Sequence, residues 1–382
     1  MKKFLSFALA LVMLFGACAA FSSCGGNEDE NVIVIGGVGP LTGTTASYGI
    51  SVKQGATLAV EEINANGGIN GMQIRFMFED DKALEADALS AYNSLMDNGM
   101  QVTIGATTSG SNQAILAPVK EDGILLVTPS ASSMTSIDAP NAFRICFNDN
   151  AQGQDAAKYI GDHMTDIKKV AIIYDTSSDY SKGLMTSFKA QAQADNKFEI
   201  VAETSFDSTA GSATFATQIA NINSSGAELL FMPLYYSEAY AIISQASSTL
   251  QGIKYFGCDG FDGILGIDNV DTSLLENVNI LTPFVADENS DFVKNYKAKY
   301  NSTPDQFAAD AYDAIYAIKA AVEKANVKVT DKDFNAKVVA AMGEITLDGE
   351  TGKMTWDLET GEPNKDPIVV TIQNGQYHIL SE

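Results

Sequence analysis

The stretch GVGPLTG at residues 37–43, followed by AVEEINANGGING at residues 59–71, decides the fold of this chain. The β-branched run at residues 32–36 precedes it and predicts a buried strand. In the second stretch, Val60 and Ile63 mark one face of a helix, which the asparagine and glycines after it would end. A strand, a glycine-rich loop and a helix in this order are typical of one βα unit in a parallel sheet.

The same alternation of short β-branched runs and amphipathic segments continues along the chain and predicts two successive α/β halves. The predicted strands cover residues 32–36, 73–78, 102–105, 125–128, 170–174, 199–204, 229–233 and 255–257. The predicted helices cover residues 83–98, 182–194, 214–223 and 238–249, with a short helix after Gly110. A helix-rich tail at 289–325 and 331–341 precedes β-like segments at 353–357 and 368–372. We therefore predict the α/β class, with mainly parallel sheets flanked by helices.

The N-terminus has the features of a secreted lipoprotein. Lys2 and Lys3 precede an apolar run at residues 4–15, which is too short to span a bilayer and has the order of a cleavable signal. Cys24 follows small residues and precedes a polar, acidic spacer, as in a bacterial lipobox, and Cys18 is the rival site. We expect cleavage before Cys24 and acylation of its thiol, with a cleaved signal that carries no lipid as the alternative. The lipid would hold the protein on the outer face of the cytoplasmic membrane.

The composition is that of a folded, acidic protein. Hydrophobic residues make up 46% of the chain and the mean hydropathy is 0.00, which allows one or two substantial cores. The formal net charge is −24, and −26 without the two lysines of the signal. Such a charge disfavours binding to nucleic acid, whose phosphates need basic patches, and to anionic lipid. Beyond the signal region only Cys146 and Cys258 remain; they could pair, but we expect two free, buried thiols.

Support for catalysis or for a cofactor is weak. The sequence contains no G-x-S-x-G, H-E-x-x-H or Walker A pattern, and His163 and His378 stand outside any motif. The glycine-rich loop after the first strand imitates a dinucleotide turn, but Pro40 removes an amide that a phosphate cradle needs. The acidic run at 287–291 begins like a calcium loop, yet Phe292 takes the place of the turn glycine. We expect no enzyme activity, no cofactor and no metal.

Further motifs, together with the two stretches quoted above, are similar to those of one family of transport proteins. They are Tyr48-Gly49, Ile104-Gly105 and the segments 128–132, 175–183 and 257–260. The chain resembles the branched-chain amino-acid (leucine/isoleucine/valine) binding proteins, the type I solute receptors of ABC importers, over nearly its whole mature length. The resemblance implies two lobes joined by three crossovers, with the ligand held in the cleft between them.

The same resemblance implies how the chain is divided. Residues 1–23 would be the signal peptide and 24–31 a flexible tether. The N-terminal lobe would comprise residues 32–147 and 280–354, and the C-terminal lobe residues 148–279 and 355–382. The crossovers would fall near residues 146–148, 279–283 and 353–356, and Trp356 would pack at a hinge.

Serine hydroxyls of the first lobe are the candidates for binding a ligand carboxylate. Ser109 follows a predicted strand and opens a helix, whose free amide hydrogens and partial positive charge suit an anion. By resemblance, Ser109 and Ser132 supply hydroxyls to the ligand carboxylate, and Ser130 supplies backbone contacts near the amine and carboxylate. Taken singly, each serine could as well be a helix N-cap.

Asp259, which follows a predicted strand between Cys258 and Gly260, is the candidate partner of a ligand ammonium. The family carries an acidic residue at this place that pairs with the ammonium, and the resemblance gives Asp259 the same role. The alternative is an ordinary turn aspartate, because Asp is common in turns.

Three tyrosines, Tyr48, Tyr180 and Tyr235, fall where the family places aromatic walls around the cleft, and Tyr236 competes with Tyr235 for its position. Ordinary half-buried packing is the alternative for any one of them. Family members often have a disulfide that ends just before the first serine, but Thr108 stands there. This departure puts the rigidity of that loop in doubt.

These features predict a lipid-anchored, monomeric receptor that closes over a free amino acid and delivers it to the membrane permease of an ABC importer. The tyrosine walls offer apolar area and no cationic group, which favours a neutral ligand with a branched-chain or other aliphatic side chain. Three alternatives stay open: a urea- or amide-type ligand, a sensory rather than a transport role, and an amidase-like hydrolase on the same fold.

Overall fold

The structure is a computed structural model that describes residues 31–211 and 214–380. The expected signal peptide, all but the last residue of the tether, and both candidate lipidation sites, Cys18 and Cys24, lie outside the described residues. No helix in the described part of the chain combines the length and the apolar character needed to cross a membrane.

Fourteen strands and ten α-helices alternate along the described residues. The strands are β1 (Val32–Gly39), β2 (Gln73–Asp80), β3 (Val102–Ala106), β4 (Leu125–Thr128), β5 (Ala142–Arg144), β6 (Lys169–Asp175), β7 (Glu199–Phe206), β8 (Leu229–Met232), β9 (Lys254–Gly257), β10 (Asn279–Thr282), β11 (Leu347–Gly349), β12 (Gly352–Met354), β13 (Ile368–Gln373) and β14 (Gln376–Ile379). The helices are α1 (Ala46–Ala65), α2 (Glu85–Asp97), α3 (Ser109–Asp122), α4 (Asp149–His163), α5 (Asp179–Asp195), α6 (Ala216–Ser225), α7 (Tyr236–Ala246), α8 (Asp291–Tyr300), α9 (Gln306–Ala325) and α10 (Phe334–Met342).

The strands form two large sheets and one small hairpin. The first sheet is parallel throughout and has the order β2-β1-β3-β4-β5. The second has the order β14-β13-β10-β9-β8-β6-β7, and only β13 runs antiparallel to its neighbours. β11 pairs with β12. The predicted α/β class with mainly parallel sheets is confirmed.

The sheets are apolar on both faces because helices cover them on both sides. Every residue of β3, β4 and β8 is buried. Among the helices, α1 and α9 pack together, and Gly55 lies directly over the carbonyl group of Ala308. A Cβ atom at position 55 would come within 2.0 Å of that oxygen, so the close approach of the two helices requires glycine.

The chain passes between the two large sheets three times. It leaves the first sheet after β5, returns after β10 to build α8, α9 and α10, and joins the second sheet again at β13. β10 pairs with β13 over its whole length, so residues 280–282, which the expected boundary assigned to the first lobe, lie in the second sheet.

The segment between β12 and β13 stays beside the first sheet. The indole N–H of Trp356 donates a hydrogen bond to the carbonyl oxygen of Arg144 at 2.7 Å. The amide of Arg144 in turn donates to the carbonyl of Gly361 at 3.2 Å. We therefore propose residues 283–290 and 355–367 as the second and third crossovers, and Trp356 as a buried anchor of the third.

The helix-rich tail predicted at 289–325 divides into α8 and α9. Asn301 ends α8 in the left-handed conformation, with φ of 55°, and the side chain of Asp305 caps α9 by accepting from the amide of Ala308. The sequence reading did not identify β5, β11 and β14 as strands. Each has only three or four residues, which is too short to show a periodic pattern.

Candidate functional site

The carboxyl ends of strands from both sheets face one small cavity with a volume of about 10 Å³. In open α/β sheets, ligands bind beyond these strand ends. The structure brings all seven candidate binding residues to the walls of this cavity: Tyr48, Ser109, Ser130, Ser132, Tyr180, Tyr235 and Asp259. Four residues that were not chosen from the sequence line it as well: Thr107, Thr108, Gly260 and Phe307.

Ser109 lies at the start of α3, directly after the loop that leaves β3. It is the first helical residue and not the N-cap, which is Thr108, whose side chain makes no capping hydrogen bond. The Ser109 hydroxyl oxygen accepts from the amide of Ser133 at 3.1 Å, which joins the helix start to the loop after β4. The first turn of α3 therefore presents amide hydrogens and a partial positive charge to the cavity.

Ser132 lies in the loop after β4, and its buried hydroxyl group neighbours the Asp149 carboxyl group. Its side chain is 1% exposed, and its Oγ has no hydrogen-bond partner among the described residues. Asp149 begins α4, donates its amide to the carbonyl of Ser132 at 2.9 Å, and has two buried carboxyl oxygens that are likewise without a partner in the described part. Burial raises the pKa of Asp149 well above its ordinary value, and the neighbouring Ser132 hydroxyl offsets this only in part.

Arg144 holds the Ser130–Ser133 loop in place, although the sequence reading did not single it out. Its side chain is 0% exposed, and its two terminal nitrogens donate to the carbonyls of Ala131 and Ser133 at 2.9 and 3.0 Å. Ser130 is fixed separately, because its hydroxyl donates to the carbonyl of Thr107 at 2.6 Å. Hydrogen bonds from Arg144 and Ser130 thus hold the loop after β4.

Asp259 is the acidic group of the cavity and comes from the second lobe. One carboxylate oxygen accepts from the hydroxyl of Tyr180 at 2.7 Å, and the other accepts from the side-chain amide of Gln152 at 2.9 Å. Burial raises the pKa of Asp259 to about 7, while these two hydrogen bonds act in the opposite direction. In the described residues, Asp259 forms no ion pair with a lysine or arginine. A cationic partner would therefore stabilise its ionised form.

Aromatic rings form the remaining walls. Tyr180 and Tyr235 are stacked with ring centroids 5.1 Å apart, and Tyr48 packs edge-on against Tyr235 and flat against Phe307, at 5.5 and 4.1 Å. The Tyr48 hydroxyl donates to the carbonyl of Gly260 and accepts from the amide of Tyr236, so it joins α1 to two segments of the second lobe. Tyr235 lines the cavity, and Tyr236 packs behind Tyr48.

Comparison with known proteins identifies the family. The family profile described as "Periplasmic binding protein" matches residues 32–376, which is most of the chain. The chain belongs to the periplasmic binding protein family. Members are extracytoplasmic solute-binding proteins, so this binding protein is a solute receptor, and the resemblance to the leucine/isoleucine/valine-binding proteins is confirmed.

Individual relatives of this binding protein agree in fold and differ in ligand. It is 33% identical to the Leu/Ile/Val-binding protein homolog 3 of Brucella melitensis, over 86% of this chain and 88% of the relative. It is 28% identical to the branched-chain amino-acid transporter substrate-binding protein LivJ of Streptococcus pneumoniae, solved with isoleucine, with a TM-score of 0.81 over 91% and 99% of the two chains. A solute-binding protein of R. palustris in complex with benzoate has the same fold, with a TM-score of 0.81 at 22% identity over 91% and 95% of the chains. The fold alone therefore does not specify the ligand.

Several residues that shape the site of this binding protein carry no local signal in the sequence. Gln152 lies in the first turn of α4 and reaches Asp259, which is 107 residues away. Phe307 is the second residue of α9 and stacks on Tyr48, and its position behind the cap Asp305 is the only sequence sign of a helix start there. Neither residue belongs to a motif that would reveal its partner.

The described residues of this binding protein contain no group of three or more side chains that could hold a metal ion. Cys146 and Cys258 are both buried and free, as expected. His163 stacks on Tyr159 with centroids 4.8 Å apart, and His378 is exposed on β14, so neither histidine lines the cavity.

Proposed function

We propose that this protein binds a free, neutral amino acid, branched-chain or otherwise aliphatic, in the cavity between its lobes and delivers it to an ABC importer. One observation carries the proposal: a buried carboxylate that lacks a cationic partner faces a helix start and two buried serine side chains across one small cavity. This arrangement is complementary to a zwitterion, whose ammonium and carboxylate groups are only one carbon atom apart.

The carboxylate of the ligand would lie against the first lobe. The start of α3 would supply amide hydrogens, and Ser109 and Ser132 would supply hydroxyls. Ser130 would contribute backbone groups only, because its hydroxyl is already bonded to Thr107. The charge is then met by dipoles and not by a buried arginine or lysine.

The ammonium of the ligand would lie against Asp259. An ammonium beside a carboxylate forms a charge-assisted hydrogen bond, and Tyr180 and Gln152 hold the two carboxylate oxygens so that the group cannot rotate away. The ligand side chain is then left to Tyr48, Tyr180 and Tyr235. No lysine or arginine lines the cavity, which supports a neutral side chain. The names of the relatives point in the same direction.

We expect the protein to discriminate little among neutral amino acids. A hydrophobic pocket separates ligands that differ by one methylene by only about 1–3 kcal/mol, so leucine and valine should bind within a few hundredfold of each other, and alanine more weakly. Glutamate and lysine should bind more weakly than any of the three. Isothermal titration calorimetry of the mature protein with these five amino acids, urea and a short amide measures this directly.

The outcomes of that titration separate the candidate functions. A clear preference for glutamate or lysine would contradict the role of the tyrosine walls. Binding of urea or the amide without any amino acid would contradict the roles of both Asp259 and the serines. Mass spectrometry of the recovered ligand tests the hydrolase alternative, since a receptor releases its ligand unchanged.

The proposal includes a lipid anchor at Cys24, which rests on the sequence of the signal. Cys24→Ala should move the protein from the membrane fraction to the soluble extracytoplasmic fraction, whereas Cys18→Ala should leave it on the membrane. Mass spectrometry of the mature N-terminus should find an acylated cysteine at position 24. An intact acylated chain that begins at Cys18 would refute this assignment.

A further inference from the structure

A buried lysine joins three separate parts of the chain next to the crossovers. The ammonium of Lys365 donates to Asp310 Oδ1 at 2.8 Å, to the carbonyl oxygen of Ile145 at 3.0 Å and to Thr351 Oγ1 at 2.7 Å. The side chains of Lys365 and Asp310 are each 2% exposed, and no other ion pair in the described residues has both partners so deeply buried. All three donor positions of the ammonium are therefore used.

Asp313, one helical turn after Asp310 on α9, extends this cluster. Its carboxylate accepts from the amide of Glu350 at 2.9 Å and from the amide and hydroxyl of Thr351 at 2.9 and 2.6 Å. The Glu350 carboxylate then accepts from the hydroxyl of Ser290 at 2.7 Å. Gly349 permits the contact, because a Cβ atom there would come within 2.5 Å of Asp313 Oδ2.

Each crossover contributes one member of this cluster. Ile145 directly follows β5, Ser290 ends the segment between β10 and α8, and Lys365 lies between β12 and β13. Asp310 and Asp313 on α9 are the common support. On the proposed function, in which the lobes close over an amino acid, we propose that Lys365 and the Asp310–Asp313 pair form the pivot of closure and so are positioning residues for ligand binding.

Stability alone is a poor explanation for a buried ion pair at this place. Replacing such a pair by apolar side chains of similar size is often neutral or stabilising, because the charges lose their hydration when they are buried. The cluster buries one ammonium with two carboxylates, and burial raises the pKa of Asp313 to about 6 and raises that of Asp310 as well. The charged groups instead provide a specific geometry, because three hydrogen bonds from one ammonium fix three chain segments relative to one another.

The cluster is linked to the cavity through the first crossover. Ile145, whose carbonyl Lys365 holds, donates its own amide to the carbonyl of Thr128 at 2.9 Å, and the next residue, Cys146, donates to Pro129 at 3.1 Å. Ser130 and Ser132 follow immediately in the chain and line the cavity. A displacement at Lys365 is thus transmitted over a few residues to the proposed carboxylate contacts.

The test replaces the pair by neutral side chains in the full mature protein. Lys365→Met combined with Asp310→Leu removes both charges, and Lys319→Met combined with Glu323→Leu removes an exposed pair from the same helix as the matched control. Leucine affinity is measured by calorimetry, closure by the decrease in radius of gyration on adding leucine, and stability by the thermal midpoint. Thr351→Val, which removes only the hydroxyl between Lys365 and Asp313, is the milder variant should the double variant not fold.

We expect the double variant to bind leucine at least tenfold more weakly and to lose half or more of the leucine-induced decrease in radius of gyration. Thr351→Val should change both quantities in the same direction by less, and the control pair should change neither. A folded double variant that binds leucine and closes like the wild type would overturn the pivot proposal, whatever its thermal midpoint. If the double variant does not fold, wild-type binding and closure in Thr351→Val would overturn the proposal instead. Failure of the wild-type protein to bind or close with any amino acid would instead refute the proposed function, and the pivot with it.

Discussion

Replacement of Asp259 by alanine is expected to weaken amino-acid binding at least thirtyfold while leaving the fold intact. Removing one member of a buried charged pair costs roughly 2–5 kcal/mol, and the lower figure corresponds to about thirtyfold in the dissociation constant. The loss should appear as faster dissociation of the ligand, because the contact forms only after the lobes have closed. Calorimetry gives the affinity, and stopped-flow fluorescence gives the dissociation rate.

Asp268→Ala is the matched control, since it removes the same charge from an exposed position in the same lobe and should leave affinity unchanged. A wild-type affinity in Asp259→Ala would assign the ligand ammonium to another group. Asp149 would be the first to consider, because its carboxyl oxygens are buried beside Ser132 without a partner in the described residues.

The pKa of Asp259 gives the same experiment a second readout. Burial raises this pKa to about 7 in the unliganded protein, and a bound ammonium would lower it because it favours the charged form. The group must therefore lose a proton to bind at acidic pH, so affinity should fall by about tenfold between pH 8 and pH 6. In Asp259→Ala this dependence should disappear. A wild-type affinity that rises as the pH falls would contradict the assignment.

Replacement of Arg144 by methionine should produce the largest loss of stability. The change leaves the carbonyls of Ala131 and Ser133 without their donors and leaves Glu362, now 3.3 Å from the Arg144 Nε, without its cation. Breaking a buried charged network by removing one partner typically costs about 3–5 kcal/mol. Urea unfolding followed by circular dichroism measures this free energy, and calorimetry should show weaker leucine binding as the loop loosens.

The only other arginine of the chain provides the control. Arg75 is exposed and makes one hydrogen bond to the carbonyl of Asn98, so Arg75→Met should change the free energy of unfolding by less than about 1 kcal/mol. Arg144→Lys keeps the charge but lacks the planar guanidinium group. Its loss in the free energy of unfolding should lie between those of Arg144→Met and Arg75→Met. Equal stability of Arg144→Met and Arg75→Met would show that the loop is held by other contacts.

Sequence patterns predict the fold well where the signals are local. The mostly apolar runs that form β1, β3, β4, β6 and β8 are largely buried on both faces, and burial is what selects such residues. The ends of helices and strands are harder to predict from sequence, because caps and turns determine them. Asn301, for example, ends α8 through a single left-handed residue that periodicity does not reveal.

The sequence likewise predicts only those residues of the candidate site that have a local signal. Ser109, Ser132 and Asp259 lie in the loops that follow strands, where the order of residues already indicates a position at the sheet edge. Arg144, Gln152 and Phe307 could not be found in that manner, because their roles depend on partners that only the folded chain brings near. Lys365 and Asp310 are 55 residues apart and show the same limit.

The hydroxyl of Tyr48 affects how much ATP the importer that this receptor would serve hydrolyses for each solute molecule transported. Its hydrogen bonds to Gly260 and Tyr236 join the two lobes without involving a ligand. They therefore stabilise the closed conformation whether or not a ligand is bound. A permease that recognised only the closed conformation of the receptor would then also respond to unliganded receptors and hydrolyse ATP without transporting solute. The stronger this phenolic contact is, the more ATP the importer would hydrolyse without uptake.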